Sequence, residues 1–161
     1  MHTLIAEPLT KAGFASFGEV IEADCDKPVP INAGSSVRFM DLAKVEVKGD
    51  VPVVGIVRAQ PFALPLDLVA MERHPFGSQM FFPVNGARML VVAAADPNDF
   101  ASYRGFVTNG AQGVSYNANV WHHPLAVLDQ TTDLIVVDRT NPDANLEKVD
   151  MPFELRLDLA D

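Results

Sequence analysis

The chain has one cysteine, one tryptophan and four histidines in 161 residues, and 12 basic side chains stand against 21 acidic ones. A lone cysteine, Cys25, excludes an internal disulfide framework, and the carboxylates of Asp24 and Asp26 beside it would raise a thiol pKa, which argues against a nucleophilic cysteine. The formal net charge of −9 repels phosphate backbones and anionic headgroups, so nucleic acid and membrane surfaces are not expected partners. The longest apolar run, Met89 to Ala95, falls far short of the roughly 20 residues that span a bilayer. The first residues, Met1 to Pro8, have neither a basic start nor a sustained apolar stretch, so no secretion signal is expected and the reducing cytoplasm is the expected location.

What is present is an ordinary globular balance, 48% hydrophobic and 20% charged, in a length that suits one domain over residues 1–161. Short alternating or β-branched runs recur over residues 53–59, 66–73, 79–83, 88–94, 103–107, 125–128, 133–138 and 153–159. Asn85-Gly86, Asp96-Pro97-Asn98, Asn109-Gly110, Gln112-Gly113 and Asn141-Pro142-Asp143 separate them with turn chemistry, the punctuation of many short antiparallel strands. Only residues 10–17 resemble a helix, with Thr10 as its cap and Phe14 and Phe17 spaced to dock on a sheet. The pattern predicts an all-β fold, a jelly-roll β-barrel with one or two short helices, since closure also removes exposed edges.

The imidazoles concentrate in two places, Glu72-Arg73-His74-Pro75 and Val120-Trp121-His122-His123-Pro124. Period two puts Ala70, Glu72 and His74 on one face and Gln79 with Phe81 and Pro83 on another. It also separates His122, which shares the face of Val120, from Trp121 and His123. The same count sets Val54, Ile56, Arg58 and Gln60 in a row that reads as a pocket floor turning polar at its mouth.

The polar spacing from Glu72 through His74 and Gln79 to Gly86 is similar to the first motif of the cupin barrels, His-x-His-x4-Glu-x6-Gly. Glu72 stands here for the first His and Gln79 for the Glu. His122 matches the single histidine of the second cupin motif, with Asn117 and Asn119 where that family has Pro and Gly. The resemblance implies a metal held by His74, Gln79 and His122, a neutral set that would bind a divalent ion more weakly than one with a carboxylate.

Over nearly its whole length the chain resembles the ureidoglycolate lyase family, formerly ureidoglycolate hydrolase. The resemblance is carried by Ile31-Asn32 and Gly34, Arg38 to Glu46, Arg58-Ala59-Gln60-Pro61, Glu72 to Gln79, Phe106 to Tyr116, Asn119 to Leu125, and Asp138-Arg139. Met40 stands where some relatives have a histidine. The resemblance implies a cupin-like homodimer that splits (S)-ureidoglycolate into glyoxylate and urea in allantoin degradation, with nickel as the associated ion. Such a reaction needs a carboxylate anchor, a base for the hydroxyl proton and an acid for the departing nitrogen. Arg58 is the expected anchor, with Gln60, Trp121 and His123 as further substrate contacts, and His122 or His74 the expected acid–base, oriented by Glu72 and Gln79. If a metal is bound, the histidines become its ligands instead. Hydrolysis of the same substrate to ammonia and carbon dioxide, a small-acid-binding module without activity, and another cupin reaction such as sugar isomerisation are the alternatives.

Overall fold

The structure, a computed structural model, describes residues 1–24 and 28–160, so Cys25 lies outside the described residues. Its strands are β1 His2–Pro8, β2 Gly18–Ile21, β3 Val29–Ile31, β4 Ser36–Arg38, β5 Pro52–Ala59, β6 Leu66–Arg73, β7 Gln79–Pro83, β8 Met89–Ala94, β9 Tyr103–Val107, β10 Gly113–Tyr116, β11 Trp121–His122, β12 Ala126–Val127, β13 Thr132–Arg139 and β14 Glu147–Leu159. Among the described residues the one α-helix, α1 (Lys11–Phe14), is shorter than expected. Thr10 caps it by accepting a 3.0 Å hydrogen bond from the Gly13 N–H, and the chain turns so that Phe14 and Phe17 both pack inward.

β6, β14, β1, β9, β8 and β11 follow one another in a sheet that closes on itself, because β11 pairs with both β6 and β8. An all-β barrel with few helices is therefore present. The strands are not antiparallel throughout, as the turn signals suggested: β1 runs parallel to β14 and to β9. A second sheet, in the order β2, β10, β7, β13, β5, packs against the barrel wall.

β8 explains why two cores coexist. Its run Met89-Leu90-Val91-Val92-Ala93-Ala94 is buried at every position. Alternate side chains point to opposite faces, so Leu90, Val92 and Ala94 fill the barrel with Leu66, Leu68, Met71, Tyr103 and Leu157. Met89, Val91 and Ala93 face the second sheet, where they meet Phe14, Phe81, Phe106, Val114 and Leu134. Truncating a ring as enclosed as Phe14 to alanine costs about 3–5 kcal/mol. At the base of this layer Gly110 takes a left-handed φ of 88°, and a Cβ there would stand 2.3 Å from the Gly86 carbonyl oxygen.

Candidate active site

The barrel closes at β11, and that seam brings the chemistry together. Register places His122 opposite Glu72 on β6 and opposite Ala93 on β8. Asn119 precedes the seam with φ 68°, a left-handed turn that asparagine tolerates and that stands where the cupin motif has glycine; its N–H donates 2.8 Å to the His74 carbonyl. The turn therefore ties the two histidine segments to each other. Glu72 and His74 project from β6 and its end into the space between barrel and second sheet. From the facing sheet come Tyr116 and Gln79, cross-strand partners on β10 and β7, and Asp138 on β13.

Each ring is held by its Nδ1. His74 Nδ1 lies 2.8 Å from the Asn145 carbonyl oxygen, His122 Nδ1 2.9 Å from that of Val120, and His123 Nδ1 2.7 Å from that of Pro124. A carbonyl oxygen only accepts, so the proton of each neutral ring sits on Nδ1 and Nε2 keeps its lone pair. The Nε2 atoms of His74 and His122 are buried without a hydrogen-bond partner, and so is Gln79 Oε1. Gln79 is turned this way because its Nε2 donates 3.0 Å to Asp138 Oδ2. Three orphaned acceptors in one buried layer are costly unless something fills them. They belong to His74, Gln79 and His122, the residues that the cupin-like spacing selects.

Glu72 completes the cluster, with Oε1 3.8 Å from His122 Nε2. One ligand atom each from Glu72, His74 and His122 lies within 4.8 Å of the others. Two imidazoles, with either a carboxylate or an amide oxygen beside them, can hold a divalent transition ion. Burial pushes the Glu72 carboxyl above its ordinary value, against smaller opposing pulls from His74 and Lys148. Burial drives His122 down to about 3, so its ring is neutral at pH 7. The Tyr116 ring stacks on His122 with centroids 4.1 Å apart and planes 13° apart, and burial raises its phenol. No sequence pattern singles out Tyr116; its place opposite Gln79 comes from the pairing of β10 with β7.

Other expected contacts lie elsewhere. Arg58 points to the outer face of the second sheet with its side chain 71% exposed, and its fork is filled by Asp133 through bonds of 2.7 and 2.8 Å. Gln60 accepts from the Thr131 hydroxyl at 2.8 Å in an exposed position. The row Val54, Ile56, Arg58 is thus an outer surface rather than a pocket floor, because β5 is apolar on both faces and period two alone does not choose between them. Trp121 splits from His122 as expected, but it packs on the barrel core with the Arg73 guanidinium 4.5 Å above its ring. His123 is buried with its Nδ1 held by the Pro124 carbonyl, and it is not one of the three residues whose ligand atoms converge. A surface hollow lined by Met1, Asp67, Met151, Phe153 and Arg156 opens at the irregular stretch of β14 between Asp150 and Leu155 and contains none of these groups.

The sequence profile of the family described as ureidoglycolate lyase matches residues 1–158. The ureidoglycolate lyase of Burkholderia mallei (strain NCTC 10229) is 48% identical over 160 residues, covering 98% of this chain and 94% of that protein. The ureidoglycolate lyase of Brucella anthropi is 49% identical over 151 residues, covering 92% of this chain and 89% of its own length. That of Brucella ovis is 48% identical over the same shares.

Proposed function

The chain belongs to the ureidoglycolate lyase family, and on that premise we propose that the Glu72, His74 and His122 cluster splits ureidoglycolate into glyoxylate and urea. The observation that carries the assignment to these residues is the pair of unpartnered Nε2 atoms beside a buried carboxylate. The reaction needs no water. The hydroxyl proton leaves as the carbonyl of glyoxylate forms, the C–N bond breaks, and the urea nitrogen takes a proton.

Burial redistributes the roles expected of these residues. A ring driven to about 3 holds a proton too weakly to serve as a base near neutrality, whereas a carboxyl moved upward is better matched to that task. Glu72 therefore takes the hydroxyl proton and returns it to the departing nitrogen, a contribution of about 10²–10⁴ in rate. His74 and His122 present their unpartnered Nε2 atoms, and Tyr116 holds the His122 ring plane in place.

His74, Gln79 and His122 would hold a divalent ion, with nickel among those that suit imidazole donors. When bound, such an ion supplies Lewis acidity toward a substrate oxygen. The two Nδ1–carbonyl bonds of His74 and His122 and the Gln79–Asp138 contact are the outer supports that fix such donors in orientation.

The protein works as a homodimer in this reading, through the outer face of the second sheet. Val54 and Ile56 are 75% and 69% exposed on β5, the edge strand, next to the half-buried Ile135 and Val137 of β13. Exposed apolar rows on an edge strand invite pairing. The Arg58–Asp133 pair neutralises itself there, so two copies of a chain with net charge −9 can meet without adding local repulsion. With one cysteine and no disulfide framework, the reducing cytoplasm is the proposed place of action. Incubating the purified protein with ureidoglycolate and following urea, glyoxylate and ammonia tests the function: urea and glyoxylate in equal amounts are expected, and ammonia without urea would replace the lyase by a hydrolase.

A further inference from the structure

We infer that Lys148 is the group that binds the substrate carboxylate, an assignment that rests on the lyase reading above. An anion entering a site that already contains Glu72, with Asp138 behind it, in a chain of net charge −9, needs a local cation. The expected anchor and the two arginines that adjoin site residues in sequence are committed. Arg58 is locked to Asp133 on the outer face. Arg73 pairs with Glu147 and covers Trp121 on the barrel side. Arg139 donates to the carbonyls of Lys48 and Thr140 and pairs with Asp50.

Lys148 is different. It lies on β14 directly opposite Glu72 of β6, and opposed residues of an antiparallel pair project from the same face with Cβ atoms about 4.5–5.5 Å apart. Among the described residues its ammonium has no ion pair or hydrogen bond. It is exposed, and Glu72 is the member of the cluster that reaches solvent, with its side chain 19% exposed against 2% for His122. Its positive charge acts on both Glu72 and His123. A substrate arriving at this edge leaves its carboxylate at the rim. The carbon that carries the carboxylate also carries the hydroxyl and the ureido nitrogen, so holding the first at Lys148 turns the other two toward Glu72 and the Nε2 atoms. A lysine on a flexible stem suits this role, because it attracts as a point charge and does not require the planar match of a guanidinium fork.

The test is steady-state kinetics of urea release by the intact enzyme and its Lys148→Met, Lys148→Gln and Lys148→Arg variants, each checked for folding by its melting curve. Loss of one charge-assisted contact should raise KM about 10- to 100-fold in the Met and Gln variants, with kcat within about threefold, and Lys148→Arg should recover most of the loss. Raising ionic strength should raise KM of the wild type and leave that of Lys148→Met nearly flat, a response that a merely structural lysine would not produce. An active wild type with unchanged KM in both neutral variants overturns the Lys148 assignment alone. A wild type that releases no urea overturns the lyase reading itself.

Discussion

Asp138 Oδ2 accepts a 3.0 Å hydrogen bond from Gln79 Nε2, and this contact decides which end of the Gln79 amide is left without a partner. Removing the acceptor, as in Asp138→Ala, frees the amide to rotate and its oxygen is no longer presented. Affinity for added nickel, measured by calorimetry on chelator-treated protein, should fall about 10- to 100-fold, the usual effect of losing an outer support. Equal affinity in the variant would show that Gln79 is no ligand.

Tyr116 acts on the chemistry through the ring it covers. Tyr116→Phe keeps the face that stacks on His122 and should retain kcat within about threefold. Tyr116→Leu removes the aromatic face, worth about 0.5–1.5 kcal/mol, and should lower kcat about 10-fold with KM little changed. Equal kcat in both variants would remove Tyr116 from the account.

The buried ring of His122 sets a direction for acid stability. In the folded protein it titrates near 3, and in the unfolded chain at its ordinary 6.5. Between those values the unfolded chain binds the extra proton, so stability is full above pH 6.5 and falls as pH drops toward 3, by up to ~1.4 kcal/mol per pH unit. Urea midpoints of metal-free protein at pH 7 and pH 5 should show that fall, and His122→Asn should flatten it. The same pH dependence in the variant would place its origin elsewhere.

The outer face of β5 separates assembly from catalysis. Ile56→Asp puts a charge into the exposed apolar row and should convert a dimer to a monomer in light scattering at micromolar concentration. Arg58→Ala should leave KM within about threefold, because the Arg58 fork faces Asp133 and not the cluster. A large rise in KM for Arg58→Ala would restore it as the carboxylate anchor.

Much of this was legible from residue order. The strands over 66–73, 79–83 and 103–107 appear with the expected limits, and alternation assigned the faces of Gln79, Phe81, His74 and His122 correctly. β5 shows where alternation runs out. Val53, Val54, Ile56 and Val57 are apolar on both faces, so Arg58 takes whichever side the sheet packing leaves outside. β1 was not anticipated, because its parallel partners β14 and β9 lie far away in sequence and local pattern contains no record of them. The departure of the cupin spacing at Glu72 was visible as a substitution, but its proximity to His122 follows only from the closure of the barrel at β11.

The most direct test of the account compares the products of the wild type and Glu72→Gln acting on ureidoglycolate. The wild type should release urea and glyoxylate in equal amounts without ammonia. Glu72→Gln, folded but without a group to carry the proton, should lose about 10²–10⁴ in kcat. Undiminished urea release by Glu72→Gln would contradict the assignment of proton transfer to the buried cluster.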